Sequence, residues 1–267
     1  MHFVPAFFMG NKYGGFDKLN HRKLNFWDSP FFYWEINMVK IIHTGPFGVN
    51  TLIVNLSGNK VFIVDPACCE LCGDEKSVSA YIEANKFEVT AIVLTHGHFD
   101  HIAGLNFLHK VYGSAPVMIH KNDSNRLGPD AGIIHSRELS YMGFEAFIPA
   151  VSSLPPADCY LEEGKSLFQC LPVEKHPGLE DVKEALSDWK ILYTPGHTSG
   201  CICLHNKKEK ILISGDTLFY GSWGRTDLGG SEKDIQESLR RLRKEIPEDT
   251  LVYPGHDMTG FKMSDNY

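Results

Sequence analysis

The sequence predicts an α+β domain whose strands end at a single cleft, and three features of the chain carry that expectation. A short β-branched run, Val89–Leu94, leads into Thr95-His96-Gly97-His98-Phe99-Asp100-His101, and a helical apolar pattern follows from Ile102 to His109. Ser231 to Glu245 spaces Ile235, Leu239 and Leu242 as the stripe of an amphipathic helix, with Ser231 as its N-cap. Strand-like runs also stop four times at a residue with metal-ligand chemistry: His96, His197, Asp216 and His256. Side chains delivered by the ends of several strands meet in one cleft along a sheet edge.

Taken in order, the regular pattern starts at Met38. Val39–Ile42 and Thr51–Leu56 read as strands, and Ser57-Gly58-Asn59-Lys60 as the hairpin turn into Val61–Val64. Asp65-Pro66 ends that strand, where Asp65 either supports a histidine from behind or simply starts a turn. Glu75 to Asn85 reads as a helix, and Pro116–His120 as a strand with His120 as its polar end. Residues 121–187 are punctuated by Gly128-Pro129, Pro155-Pro156 and Pro177-Gly178 and read as an irregular insertion facing substrate, with His135 and His176 at the surface. Order returns with Trp189–Tyr193, the hairpin Cys201–Leu204 and Ile211–Ser214, and the last strand Leu251–Tyr253.

The loop at 95–101 has the chemistry of a metal site. In extended chain His96 and His98 point the same way, and Gly97 between them permits a tight bend. Asp100 and His101 fall one step further on, where the chain turns into the helix. Two adjacent pairs of nitrogen and oxygen donors suit two borderline-soft ions such as zinc. The bland reading, histidines on a polar surface loop, fits one imidazole better than this cluster.

Composition narrows the function classes. A chain of 267 residues with 43% hydrophobic and 22% charged residues suits one large globular domain. A net charge of −7 offers no basic stripe for nucleic acid. Seven cysteines, an odd number, do not form a secreted disulfide framework; Cys69 and Cys72 have C-x-x-C spacing but read as structural or incidental thiols. Cys201 and Cys203 alternate as core residues do. No apolar run reaches the length of a membrane span, and Met1–Asn37 lacks the pattern of a signal peptide, so a cytoplasmic location is expected. Residues 1–37 read as an N-terminal extension, either an appended arm or a stretch ahead of a start at Met38, and 38–267 as the catalytic domain.

These residues together resemble the metallo-β-lactamase superfamily. The resemblance rests on the HxHxDH loop (His96, His98, Asp100, His101), then His197, Asp216 in a Gly-Asp step, and His256, and it runs from Met38 to the C-terminus. It implies an αββα sandwich: two mixed β-sheets face to face, flanked by helices, with the metals at one sandwich edge. Leu94-Thr95-His96-Gly97-His98, Thr194-Pro195-Gly196-His197-Thr198, Gly215-Asp216-Thr217-Leu218-Phe219 and Gly224-Arg225-Thr226-Asp227-Leu228 look most like glyoxalase II and its short bacterial relatives. By that resemblance His96, His98 and His197 hold one zinc, Asp100, His101 and His256 hold a second, and Asp216 bridges both. The implied activity is hydrolysis of small thioesters of the hydroxyacylglutathione type by hydroxide held between two Zn2+ ions. Asp100 would orient that hydroxide, and Arg225 would bind a substrate carboxylate or pair with Asp227.

Two other readings compete. The chain also resembles persulfide dioxygenases at Gly224-Arg225-Thr226-Asp227 and around His256, and such an enzyme would hold one iron with His96, His197 and Asp216. A binding scaffold without turnover would lack a ligand, yet all seven are present. A di-zinc β-lactamase of the common kind would place Cys where Asp216 stands, and a diiron flavoprotein would place Glu where His98 stands.

Overall fold

The computed structural model describes residues 38–266, so the segment read as an extension, 1–37, lies outside the described residues. Eleven strands form two sheets. The first contains β1 (Val39–Thr44), β2 (Val49–Ser57), β3 (Lys60–Val64), β4 (Glu88–Val93), β5 (Val117–His120) and β6 (Cys159–Leu161), in that order. The second contains β7 (Trp189–Tyr193), β8 (Ile202–Asn206), β9 (Ile211–Gly215), β10 (Leu251–Pro254) and β11 (Phe261–Lys262), in the order β11-β10-β9-β8-β7. Both sheets are mixed: β1–β3 are antiparallel and β3–β6 parallel, while β10 runs parallel to β9 among antiparallel neighbours.

Period-two alternation separates the layers. In β3, Phe62 and Val64 face the second sheet, where Phe62 meets Trp189 edge-on with ring centroids 5.5 Å apart. Val61 and Ile63 face the other way, packing with Val78, Ile82, Leu105 and Leu108 from the helices Ser77–Ala84 and Leu105–Val111. The outer face of the second sheet is covered by the helix Glu232–Glu245, whose Leu242 packs against Leu212 and Val252. Ser231 caps that helix by accepting from Asp234 N at 3.3 Å, and Arg243 and Lys244 lie at its negative end. The result is the αββα sandwich. Strands such as β3 and β4 are apolar on both faces because both faces are covered.

Three expectations need correction. The helical pattern 102–109 is two helices, Phe99–Ile102 and Leu105–Val111. The break falls at Gly104, whose N–H donates to Pro66 O at 2.9 Å and whose Cβ, if present, would lie 2.6 Å from Cys68 O. Residues 121–187 are not irregular: they include the helix Ala131–Met142 and β6, which extends the first sheet. That helix hides its period because His135 occupies a core position between Ala131 and Leu139 while Ile133 is 78% exposed. His135 is therefore buried, not at the surface, and its Nε2–H donates to Arg126 O at 2.8 Å. His120 does end β5, accepting from Asn122 N at 3.2 Å.

The Phe62→Ala substitution removes the aromatic contact between the sheets and should destabilise the domain by about 3–5 kcal/mol. Urea unfolding of the variant measures this, and a loss below about 1 kcal/mol would contradict face-to-face packing at this point.

Candidate metal centre

The C-terminal ends of β3, β4 and β5 leave the first sheet on one edge, and those of β7, β9 and β10 leave the second on the same edge. Backbone hydrogen bonds stitch the two together there: Ile202 N donates to Thr95 O at 3.0 Å and Asn50 N to Gly255 O at 2.7 Å. Six strand ends thus open onto one place, and His96, His98, Asp100, His101, His197, Asp216 and His256 all converge on it. Two sheets supply them, where the sequence suggested one sheet edge.

Four of the five imidazoles have a partner at the outer nitrogen. Asp65 ends β3 in a left-handed conformation (φ 49°), and its carboxylate accepts from Thr95 N at 2.7 Å and Thr95 Oγ1 at 2.6 Å. The same carboxylate lies 3.0 Å from His101 Nδ1, so Nδ1–H donates outward and Nε2 points into the cluster. Asp65 therefore does support a histidine. His197 Nδ1–H donates to Arg225 O at 2.6 Å, and His98 Nε2–H donates to Leu228 O at 3.3 Å. His96 Nδ1 sits 3.1 Å from Thr95 Oγ1. Outer partners of this sort orient metal-binding histidines and fix their tautomers.

The inner atoms crowd together. His98 Nδ1 lies 2.7 Å from His197 Nε2, and His101 Nε2 lies 3.2 Å from His256 Nε2. The donor atoms of His96, His98 and His197 are all within 4.8 Å of one another, as are those of Asp100, His101 and His256. Asp216 stands between the two groups, with Oδ2 3.4 Å from His197 Nε2 and Oδ1 3.3 Å from His101 Nε2. Asp65, His96 and His101 also group within 4.8 Å, but two of these three are hydrogen-bonded to each other, His101 Nδ1–H donating to Asp65 Oδ2. His96 Nε2 and Asp216 Oδ1 are buried without a hydrogen-bond partner among the described residues. Buried acceptors left without a partner are costly unless a proton or a metal ion satisfies them. The donor set therefore fits a metal centre.

The loops that carry these donors are locked. Asp123, buried after β5, accepts from Gly97 N at 2.8 Å and Thr198 Oγ1 at 2.7 Å, tying the loop of His96 and His98 to that of His197. Sequence reasoning missed Asp123; its only signal was an acidic residue soon after a strand end. Arg126, paired with Glu138 at 2.6 and 2.7 Å, packs on Gly97, where a Cβ would meet its Cδ at 2.5 Å. Gly255 lies against a donor itself: a Cβ there would lie 2.2 Å from Asp216 Oδ1.

A cleft of about 360 Å3 opens onto the donors, walled by Phe47, Phe99, Met142, Phe219 and Leu228. Arg225 lines it, but its Nε and Nη2 donate to both oxygens of Asp227 at 2.6 Å. That pair holds the Asp227 carboxyl down at about 2.

Burial pushes His96, His98 and His197 below the usual imidazole range, reinforced for His96 and His98 by neighbouring cationic groups. These three are neutral and ready to donate lone pairs. Burial opposes charge on His101 and His256 as well, but Asp216 and Asp100 overcome it and raise both. Asp216, despite its burial, is held below the carboxylate range by His101, His197 and His256.

The family model of the metallo-beta-lactamase superfamily matches residues 44–256, well over half the chain. The chain belongs to this superfamily. A relative in Bacillus subtilis, called a probable metallo-hydrolase, is 32% identical over 213 residues, covering 79% of this chain and 86% of its own. A hydroxyacylglutathione hydrolase of Bdellovibrio bacteriovorus is 31% identical over 200 residues, 75% of this chain; the match spans only 59% of that relative's length. Among solved structures, a protein crystallised in a di-iron-bound form superposes with a TM-score of 0.65 at 26% identity, covering 85% of this chain and 96% of the other. Among the described residues, no helix of this superfamily member is long and apolar enough to cross a membrane.

Because His101 and His256 are raised, each keeps its proton to higher pH than an ordinary imidazole, and a metal must displace it. Loading should release protons, and affinity should climb with pH until these histidines are neutral. Calorimetric titration in buffers of different ionisation enthalpy reads the number directly; no release would contradict the assignment of charge. Asp65→Asn, which removes the acceptor behind His101, should weaken metal binding about 10–100-fold, as competition with a chromogenic chelator would show.

Proposed function

We propose that this chain hydrolyses small thioesters of the hydroxyacylglutathione type with two divalent cations, zinc ions, at the sandwich edge. His96, His98 and His197 would hold one, Asp100, His101 and His256 the other, with Asp216 shared. The observation that carries the reading is the completeness of both donor groups around a shared carboxylate. The named activity of the Bdellovibrio relative supports the thioester class.

Bound there, the ions would supply a water of lowered pKa and Lewis-acid polarisation of the substrate carbonyl. The chain's own groups do the rest. Asp100 accepts a hydrogen bond from the attacking water and aims it at the acyl carbon. The ring edges of Phe47, Phe99 and Phe219 shed water from the cleft and hold the acyl part. Arg225, already braced by Asp227, offers its remaining Nη1 to an anionic group on the substrate. A thiol leaves as thiolate with a pKa near about 8.5, so no strong general acid is required.

Metal content and hydrolysis of S-lactoylglutathione, measured on one preparation, test the proposal. Two zinc ions per chain with turnover are expected. One iron per chain with oxygen uptake on a persulfide would replace this reading with the dioxygenase, and full zinc loading without turnover would leave a scaffold. Asp216→Ala should lose most bound metal and at least about 10²–10³-fold in rate; retained turnover in that variant would contradict the shared ligand.

A further inference from the structure

The loop between β3 and the Ser77–Ala84 helix carries a second set of donors, remote in chemistry from the histidine cluster because it contains sulfur. Cys69 to Gly73 forms a tight turn in which Cys72 N donates to Cys69 O at 3.2 Å and Gly73 N to Glu70 O at 2.9 Å. Gly73 closes it in the left-handed region, at φ 73°. A turn of this type brings the first and fourth residues together, and the two sulfurs lie within 4.8 Å of each other. Asp74 is fixed beside them: one carboxylate oxygen accepts from Cys69 N at 2.8 Å and the other from Gly45 N at 2.7 Å. Cys69 Sγ, Cys72 Sγ and an Asp74 oxygen all lie within 4.8 Å of one another.

We propose that Cys69, Cys72 and Asp74 bind one thiophilic divalent cation of the zinc class, separate from the ions of the histidine cluster. Two sulfurs on one tetrahedral zinc, each about 2.3 Å from the metal, are about 3.8 Å apart, which this cluster accommodates. Cys69 is buried and Cys72 exposed, so the site has a fixed inner ligand and an open side through which a cation enters and a water completes the shell. Cys68 is not a ligand. Its Sγ packs on Gly104, where a Cβ would meet it at 2.7 Å, and burial pushes its thiol up to about 12. Thiols bind a cation as thiolates, so the cation must displace their protons and binding strengthens as pH rises. The inference does not depend on the proposed thioester reaction.

Cobalt(II) separates this site from the main one, since the histidine cluster contains no sulfur donor. Metal-stripped full-length protein, kept reduced and titrated with Co2+, should develop a sulfur-to-cobalt charge-transfer band in the near ultraviolet, bleached by added Zn2+. In Cys72→Ser, a change at an exposed position, and in the Cys69→Ser/Cys72→Ser double variant, that band should vanish. The visible ligand-field absorption of cobalt on the histidine cluster should persist in both and report an intact fold. Absence of the band in the unaltered protein, its survival in the double variant, or recovery of a Cys69–Cys72 disulfide in place of bound cobalt under the same reducing conditions would each overturn the proposal.

Discussion

Packing five imidazoles and two carboxylates against one another at the edge of a dry sandwich is the constraint that shapes the rest of this molecule. His96 and His101 are fully buried, and Asp216 is nearly so. Left alone, such groups would be penalised by several kcal/mol each for lost hydration. The surrounding chain answers by giving almost every outer nitrogen a protein partner. What remains unsatisfied, His96 Nε2 and Asp216 Oδ1, faces inward. Within the cluster, these unsatisfied atoms lie at the point where a cation would complete them.

Rigidity follows from the same demand. A loop bearing two histidines two residues apart has no intrinsic reason to keep both pointed inward. Asp123 pins it through Gly97 N, Asp65 pins its start through Thr95, and Arg126 lies across its glycine. These carboxylates each bridge segments far apart in sequence, so the fold must be complete before the cluster exists. Buried polar networks of this kind are favourable only when fully connected.

The cluster is also electrically divided. In the group of His96, His98 and His197 burial outweighs the nearby Asp216 and keeps the imidazoles neutral, whereas for His101 and His256 the pull of Asp100 and Asp216 outweighs burial. One half therefore offers free lone pairs and the other must give up protons first. Two otherwise similar donor groups would then differ in affinity and in pH response. The membership in the metallo-beta-lactamase superfamily explains the fold, and this asymmetry belongs to the side chains of this chain.

Much of the fold was legible because its strands and its best helix state their periods openly. The double-sided apolar runs of β2 and β4 and the capped, striped helix from Glu232 are local properties, and local propensity and burial agree in them. The seven donors were legible for a similar reason: their residue types and spacing are rare outside metal sites. The helix Ala131–Met142 was not, since a buried histidine stands in its apolar stripe and a bare isoleucine faces water. Nor was β6, three residues long, whose strand character comes wholly from pairing with β5. Asp123 was hidden because its partners, Gly97 and Thr198, lie 26 and 75 residues away. By itself the sequence determined which atoms are available to bind and where strands stop. The tertiary structure alone decided that both sheets deliver them to one edge and which nitrogen of each imidazole faces inward, because those choices depend on acceptors that only folding brings near.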